Sequence, residues 1–105
     1  MANTWSIIIE ASLSVPGKVA FRPDLPDAKQ GDTLNVNEGD LINWNNRTDD
    51  AHQPAATNLK DKYLTNEIPA GKPSSPAYKI PTYEIKYKCE NDANDKVGKI
   101  KVKAS

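Results

Sequence analysis

Apolar and β-branched residues along this chain come in short bursts, and Gly, Pro, Asn and Asp fill the intervals between them. Several bursts alternate: Leu34 with Val36, Ile85 with Tyr87 and Cys89, and Ile100 with Val102, the last pair with lysines between. A period of two puts the apolar members on one face of a strand and their neighbours on the other. No window repeats with the period of an amphipathic helix. The bursts predict strands over residues 4–10, 19–21, 33–36, 41–45, 77–80, 84–89 and 99–103. Turn signals separate them at Pro16-Gly17, at Asn37-Glu38-Gly39-Asp40, at Ala70-Gly71-Lys72-Pro73 and in the polar run after Cys89. Short strands at this spacing predict an all-β fold, a Greek-key β-sandwich of seven to eight strands. The eight prolines agree with it, because proline ends strands and stiffens loops.

The longest stretch without a strand signal covers residues 46–67 and holds the only histidine, His52. Loops of that length in a compact domain are functional or disordered, and a short helical turn is predicted over residues 58–63. Asn46-Arg47-Thr48 fits the N-glycosylation triplet and is read only as marking an exposed loop. At 105 residues the chain is predicted to form one domain, residues 1–105, with a single core. Lys and Arg number 14, as do Asp and Glu, so the average charge offers no field to draw in nucleic acid or an acidic membrane surface. No apolar run approaches the ~20 residues that span a bilayer. The opening M-A-N-T-W-S-I-I-I-E lacks the basic region, long apolar run and small-residue cleavage site of a signal peptide. One cysteine excludes an internal disulfide and leaves the redox compartment unspecified.

Five segments follow one another in a telling order: E-G-D-L-I-N-W-N-N, D-D-A-H, I-P-A-G-K-P-S-S-P-A-Y-K-I, Y-E-I-K-Y-K-C and V-G-K-I-K-V. They supply a Gly-Asp turn before a strand with an aromatic and Asn, then a His in the next loop, then a Pro-x-Gly turn before an edge strand. A Tyr two residues ahead of a Cys and a Gly leading into a last apolar strand complete the set. In this the chain resembles the cupredoxins, the plastocyanin-like blue-copper proteins, over about residues 36–102. The resemblance implies a two-sheet Greek-key sandwich with copper at one end, between the His loop and the loop after the Cys strand. It also implies a periplasmic or extracellular setting.

Copper in that family sits between a thiolate and two imidazoles with a weak axial donor, a set suited to cycling between Cu(II) and Cu(I). The resemblance assigns His52 as the first imidazole and Cys89 as the thiolate. Where many members carry the second His, three residues after the Cys, this chain has Asp92, and where the axial Met would fall it has Lys96. The only methionine is Met1 and the only histidine is His52, so one copy of the chain holds an incomplete ligand set. A carboxylate is a harder donor than an imidazole and favours Cu(II), which works against fast electron exchange.

Two readings follow. In the first, this is a cupredoxin-fold protein with an incomplete type 1 copper site, a non-redox binding or interaction module with a protein partner left unspecified, or one that has lost metal function altogether. In the second, His52, Cys89 and Asp92, with water or Gln53 as a further ligand, hold copper for electron transfer or copper handling, zinc being an acceptable occupant. Either way His52 and Cys89 should lie within about 10 Å of each other, since metal–ligand bonds are only ~2.0–2.3 Å long. Cys89 and His52 are also the one pair available for nucleophile and base, but no oxyanion-type glycine loop accompanies them. The run E-N-D-A-N-D lacks the Gly and bidentate Glu of a calcium loop. There is no phosphate-binding glycine loop and no aromatic-basic stripe for nucleic acid, so no enzyme activity is expected.

Overall fold

The computed structural model describes residues 3–57, 63–75, 77–81, 84–90 and 97–103. They form eight strands: β1 (Thr4–Ala11), β2 (Val19–Pro23), β3 (Leu34–Asn37), β4 (Leu41–Asn46), β5 (Pro54–Ala56), β6 (Tyr78–Lys79), β7 (Ile85–Cys89) and β8 (Gly98–Lys103). One sheet has the order β2-β1-β4-β6 and the other β3-β8-β7-β5. Each is mixed, because β1 runs parallel to β4 and β3 parallel to β8, while the remaining pairs are antiparallel. There is no helix among the described residues.

The alternation read from the sequence is the alternation that is buried. Leu34, Val36, Ile85, Tyr87, Cys89 and Ile100 from one sheet meet Ile7, Ile9, Phe21, Ile42 and Trp44 from the other in one core. Val102, Trp5 and Tyr78 pack at its margin. Burying such side chains contributes about 1.5–3 kcal/mol each relative to exposure, which is what fixes register, since a slip of one residue would turn every one of them to solvent.

Three expectations need correction. The stretch of residues 46–67 is not free of strand, because β5 lies in it and pairs with β7, Pro54 opposite Cys89 and Ala56 opposite Tyr87. P-A-A has neither alternation nor β-branched residues and is buried at all three positions, so no pattern announced it. It is an edge strand, where a proline costs no ladder bond. Asn46, read as part of an exposed loop, is instead the last residue of β4 and only 1% exposed. The strand expected over residues 77–80 contracts to Tyr78–Lys79, held by Leu41 and Ile42 of β4. Of the helical turn expected over residues 58–63, all but Tyr63 lies outside the described residues, and Tyr63 makes a lone bridge to Ala55.

The Gly-Asp turn has a mechanical role at the end of the sandwich where β4 begins. Gly39 takes φ +88°, which lets the chain reverse and turns the Asp40 carboxylate inward. That carboxylate accepts from Trp5 Nε1 at 2.8 Å, Asn3 N at 3.0 Å and Asn37 N at 3.0 Å. The Trp5 hydrogen bond first, then the two backbone ones, hold its pKa below the ordinary 3.8. A carboxylate with a depressed folded pKa contributes stability that is present above the unfolded value and lost as pH falls below it. Urea midpoints should therefore fall on acidification below about pH 4, and Asp40→Asn should remove part of that decline. Glu10, lowered chiefly by its hydrogen bond from Arg22, should supply another part. An Asp40→Asn profile parallel to that of the unmodified chain would contradict this assignment.

Candidate functional site

At the other end of the sandwich β4 runs out at Asn46, and the chain must cross to the second sheet to form β5. Asn46 organises the crossing. Its Nδ2 donates to the carbonyls of Asp50 at 2.7 Å, Ile68 at 3.0 Å and Pro69 at 3.3 Å. Its Oδ1 accepts from Thr48 N at 3.0 Å and Thr48 Oγ1 at 2.7 Å, closing a turn in which a side chain stands in for backbone. The side chain that the glycosylation triplet would modify is thus buried and occupied on both of its polar atoms.

The clamp delivers His52. The His52 backbone pairs with Ile68, N to O at 3.1 Å and the reverse bond at 2.8 Å, so the loop and the segment around Ile68 brace each other. Gln53 Nε2 donates to Thr65 O at 3.1 Å, and Glu90 N donates to Gln53 O at 2.9 Å. With Pro54 opposite Cys89, that last bond extends the β5–β7 contact by one residue and sets His52 just beyond the start of β5, on the segment beside the end of the Cys89 strand.

Both side chains are withdrawn from water, His52 at 3% exposure and Cys89 at 0%. Burial pulls the His52 pKa below the ordinary 6.5, opposed only by the charge of Asp50, so the ring is neutral at physiological pH. Among the described residues neither Nδ1 nor Nε2 has a hydrogen-bond partner. That is costly for a buried polar group, at about 1–3 kcal/mol. Burial alone pushes the Cys89 thiol up to about 12. An uncoordinated Cys89 is consequently a protonated, inert thiol and a poor nucleophile, since reactivity belongs to the thiolate.

Of the residues assigned from the sequence, the fold thus brings His52 and Cys89 to one end of the sandwich, while Asp92 and Lys96 lie outside the described residues. Among the described residues no three His, Cys, Asp or Glu side chains converge to hold a metal. A neutral imidazole whose nitrogens have no partner among the described residues, and a buried sulfur on the adjoining strand, suit a soft metal ion, but they are two donors and not a type 1 set. Sequence reasoning missed Asn46 as the residue that positions the loop. The available signal was an Asn at a strand end with Thr two residues on, the spacing of a side-chain-closed turn.

The cupredoxin fold defines this molecule. Solved structures similar to it include the purple cupredoxin from Nitrosopumilus maritimus, at 15% identity over 93% of this chain and 98% of that one, with a TM-score of 0.61. An oxidized amicyanin in which lysine replaces a methionine matches at 20% identity over 97% and 82%, with a TM-score of 0.57. A variant of the McoA multicopper oxidase from the hyperthermophile Aquifex aeolicus matches at 12% identity and a TM-score of 0.64, this chain spanning 26% of that protein's length. No family model and no curated protein matches the sequence.

Proposed function

We propose that this chain is a cupredoxin-fold binding protein with an incomplete type 1 copper site, working outside fast electron exchange and without catalysis, in a periplasmic or extracellular setting. The observation that carries the reading is the composition of the site end: His52 and Cys89 are buried on neighbouring segments, while Asp92 and Lys96 stand in the sequence where the resemblance would have a second imidazole and a thioether. The module presents this closed end, and not a cycling metal, to a protein partner.

A second reading is favoured by the His52 ring, whose two nitrogens are buried without partners among the described residues. In it His52, Cys89 and Asp92 hold copper or zinc, water or Gln53 adding a further donor. A bound ion would supply the positive charge that stabilises the Cys89 thiolate. His52 enters already neutral, as a ligand must, and Cys89 has to release its proton, so affinity rises with pH. The Gln53 amide nitrogen is engaged by Thr65 O, which leaves its oxygen as the donor atom.

Titration with Cu(II) and Zn(II) separates the two. Metal held by the pair should raise the melting temperature by roughly 10 °C at a hundredfold excess over the dissociation constant. Copper should also give a thiolate charge-transfer band in the visible that Cys89→Ser abolishes and His52→Ala weakens. A colourless titration with no thermal shift removes the second reading and leaves the first. A type 1 spectrum with rapid electron self-exchange would overturn the first.

A further inference from the structure

One exposed loop is held more firmly than exposure alone requires. Leu13, between β1 and β2, is 91% exposed, more than any other large apolar side chain among the described residues. A single exposed leucine is ordinary on a protein surface. This one, however, sits on a backbone fixed along its length: Leu13 N donates to Gln30 Oε1 at 2.9 Å, and Ser14 N and Val15 N donate to Ser12 Oγ at 3.2 and 3.1 Å. Ser12 N bonds Lys18 O at 2.9 Å and Lys18 N bonds Val15 O at 3.2 Å.

The side chain that fixes Leu13 also builds a groove beside it. Glu10 and Arg22 alternate with the core residues Ile9 and Phe21, so they stand on the outer face of the first sheet. Arg22 donates to Glu10 through Nε at 2.8 Å and Nη2 at 3.2 Å, while Gln30 Nε2 donates to Glu10 Oε2 at 3.0 Å and to Ala11 O at 2.8 Å. Together with Leu13, Ala28 and Lys29 these residues line a groove of about 420 Å³. Sites for small molecules measure ~300–1,000 Å³, so the size suits a small ligand. Ile8 and Ala20 on the same outer face are 1% and 3% exposed although they lie outside the central core, so water is already excluded from the sheet here.

We propose that this groove binds a small amphipathic organic anion, an apolar body carrying one carboxylate or sulfonate. A count of donors and acceptors sets the charge. The Glu10 carboxylate is engaged by Arg22 and Gln30, the Gln30 oxygen by Leu13 N, and the Gln30 nitrogen by Glu10 and Ala11. Arginine carries five N–H donors and Glu10 takes two, so Arg22 has donors left over among the described residues. The Lys29 ammonium makes no ion pair among them either, and Asp32 bonds the Lys29 amide instead. Glu10 and Arg22 cancel, which leaves Lys29 as the net charge of the lining, and Asp24, which acts on Arg22, is not part of that lining. A cation would meet like charge and find the acceptors engaged. An anion meets open donors, with Leu13 and Ala28 for its apolar body. Because the loop is ordered before the ligand arrives, little conformational freedom is lost on binding. The groove shares no residue with the His52 end, so its occupancy is independent of any metal held there.

Anilinonaphthalene sulfonate, which fluoresces when shielded from water, is a suitable probe, with phenylnaphthylamine as its uncharged counterpart. The full chain should bind the sulfonate saturably at a single site and more tightly than the amine. In nitrogen–proton correlation spectra the amides of Leu13, Ser14, Ala28, Lys29 and Gln30 should shift most. Lys29→Glu and Leu13→Ser should each weaken binding roughly tenfold, the first through a lost charge-assisted bond and the second through lost apolar contact. Lys79→Glu makes the same change of charge on β6, at the opposite edge of the sheet from β2, and should leave affinity unchanged. All three positions are exposed, and the amide map comes from the unmodified chain, so it decides even where a variant fails to fold. Four results would overturn the proposal: no saturable binding by the unmodified chain, equal affinity for the amine, amide shifts centred on exposed Tyr63 and Val97 instead of the groove, or equal losses in Lys29→Glu and Lys79→Glu.

Discussion

Gly98→Ala is expected to lower the melting temperature by roughly 10–20 °C, a loss of about 3 kcal/mol. A Cβ at residue 98 would meet three atoms of the Tyr87 ring within 2.6 Å, closer than any real contact allows. Tyr87 faces Gly98 across the β7–β8 ladder, and the far end of its ring occupies the space a side chain at residue 98 would need. The ring has nowhere to retreat. It packs edge-on against Phe21 at 4.6 Å and against Trp44 at 5.6 Å, and it is 1% exposed. An added methyl must move the ring, the strand or both aromatic neighbours, and dense interiors resist each. A double-mutant cycle checks the cause. In a Tyr87→Leu background, where the ring is gone, Gly98→Ala should cost less than about 1 kcal/mol, a coupling expected only of residues in contact. Equal costs in the two backgrounds would show that the glycine is needed for something other than the ring.

The same contact explains why part of the fold was legible in the sequence. A Tyr two residues before the Cys and a Gly opening the last strand are joined by one piece of packing, so they travel together as a motif. Period-two burial made β3, β7 and β8 readable, because Leu34, Val36, Ile85, Tyr87 and Ile100 each owe their place to the hydrophobic effect acting on alternate positions, whereas β1 and β2 were marked by apolar bursts between turn signals. β5 was not readable. Pro54, Ala55 and Ala56 become a strand through pairing with β7, a long-range bond that local preference does not encode.

The site divides in the same way. His52 and Cys89 could be named because rare residues carry their chemistry with them, and the fold brings them to one end. The neutral imidazole and the protonated thiol could not be read, since both follow from burial that only the packed sandwich supplies.

Asn46→Ala should cost about 3 kcal/mol and loosen the His52 loop before the core is affected. The substitution removes the amide bonds to the carbonyls of Asp50, Ile68 and Pro69 and the acceptor of the Thr48 amide and hydroxyl, at a position 1% exposed, while Ile68 O keeps His52 N and Asp50 O keeps Thr48 Oγ1. Water can reach some of these groups, which keeps the total below the sum of individually orphaned bonds. Thr48→Val leaves the backbone bond to Asn46 Oδ1 but removes the hydroxyl's contacts with Asn46 Oδ1 and with the Asp50 backbone, and should cost nearer 1 kcal/mol. Asn46→Asp keeps the acceptor for Thr48 but aims a carboxylate at three carbonyls, so it should be no milder than alanine. Hydrogen exchange locates the damage. The amides of His52 and Ile68, which bond each other's carbonyls, should lose protection in Asn46→Ala by tenfold or more relative to the amides of β1 and β4. If protection instead falls evenly across both sheets, Asn46 supports the sandwich as a whole, and the crossing that carries His52 is held by something else.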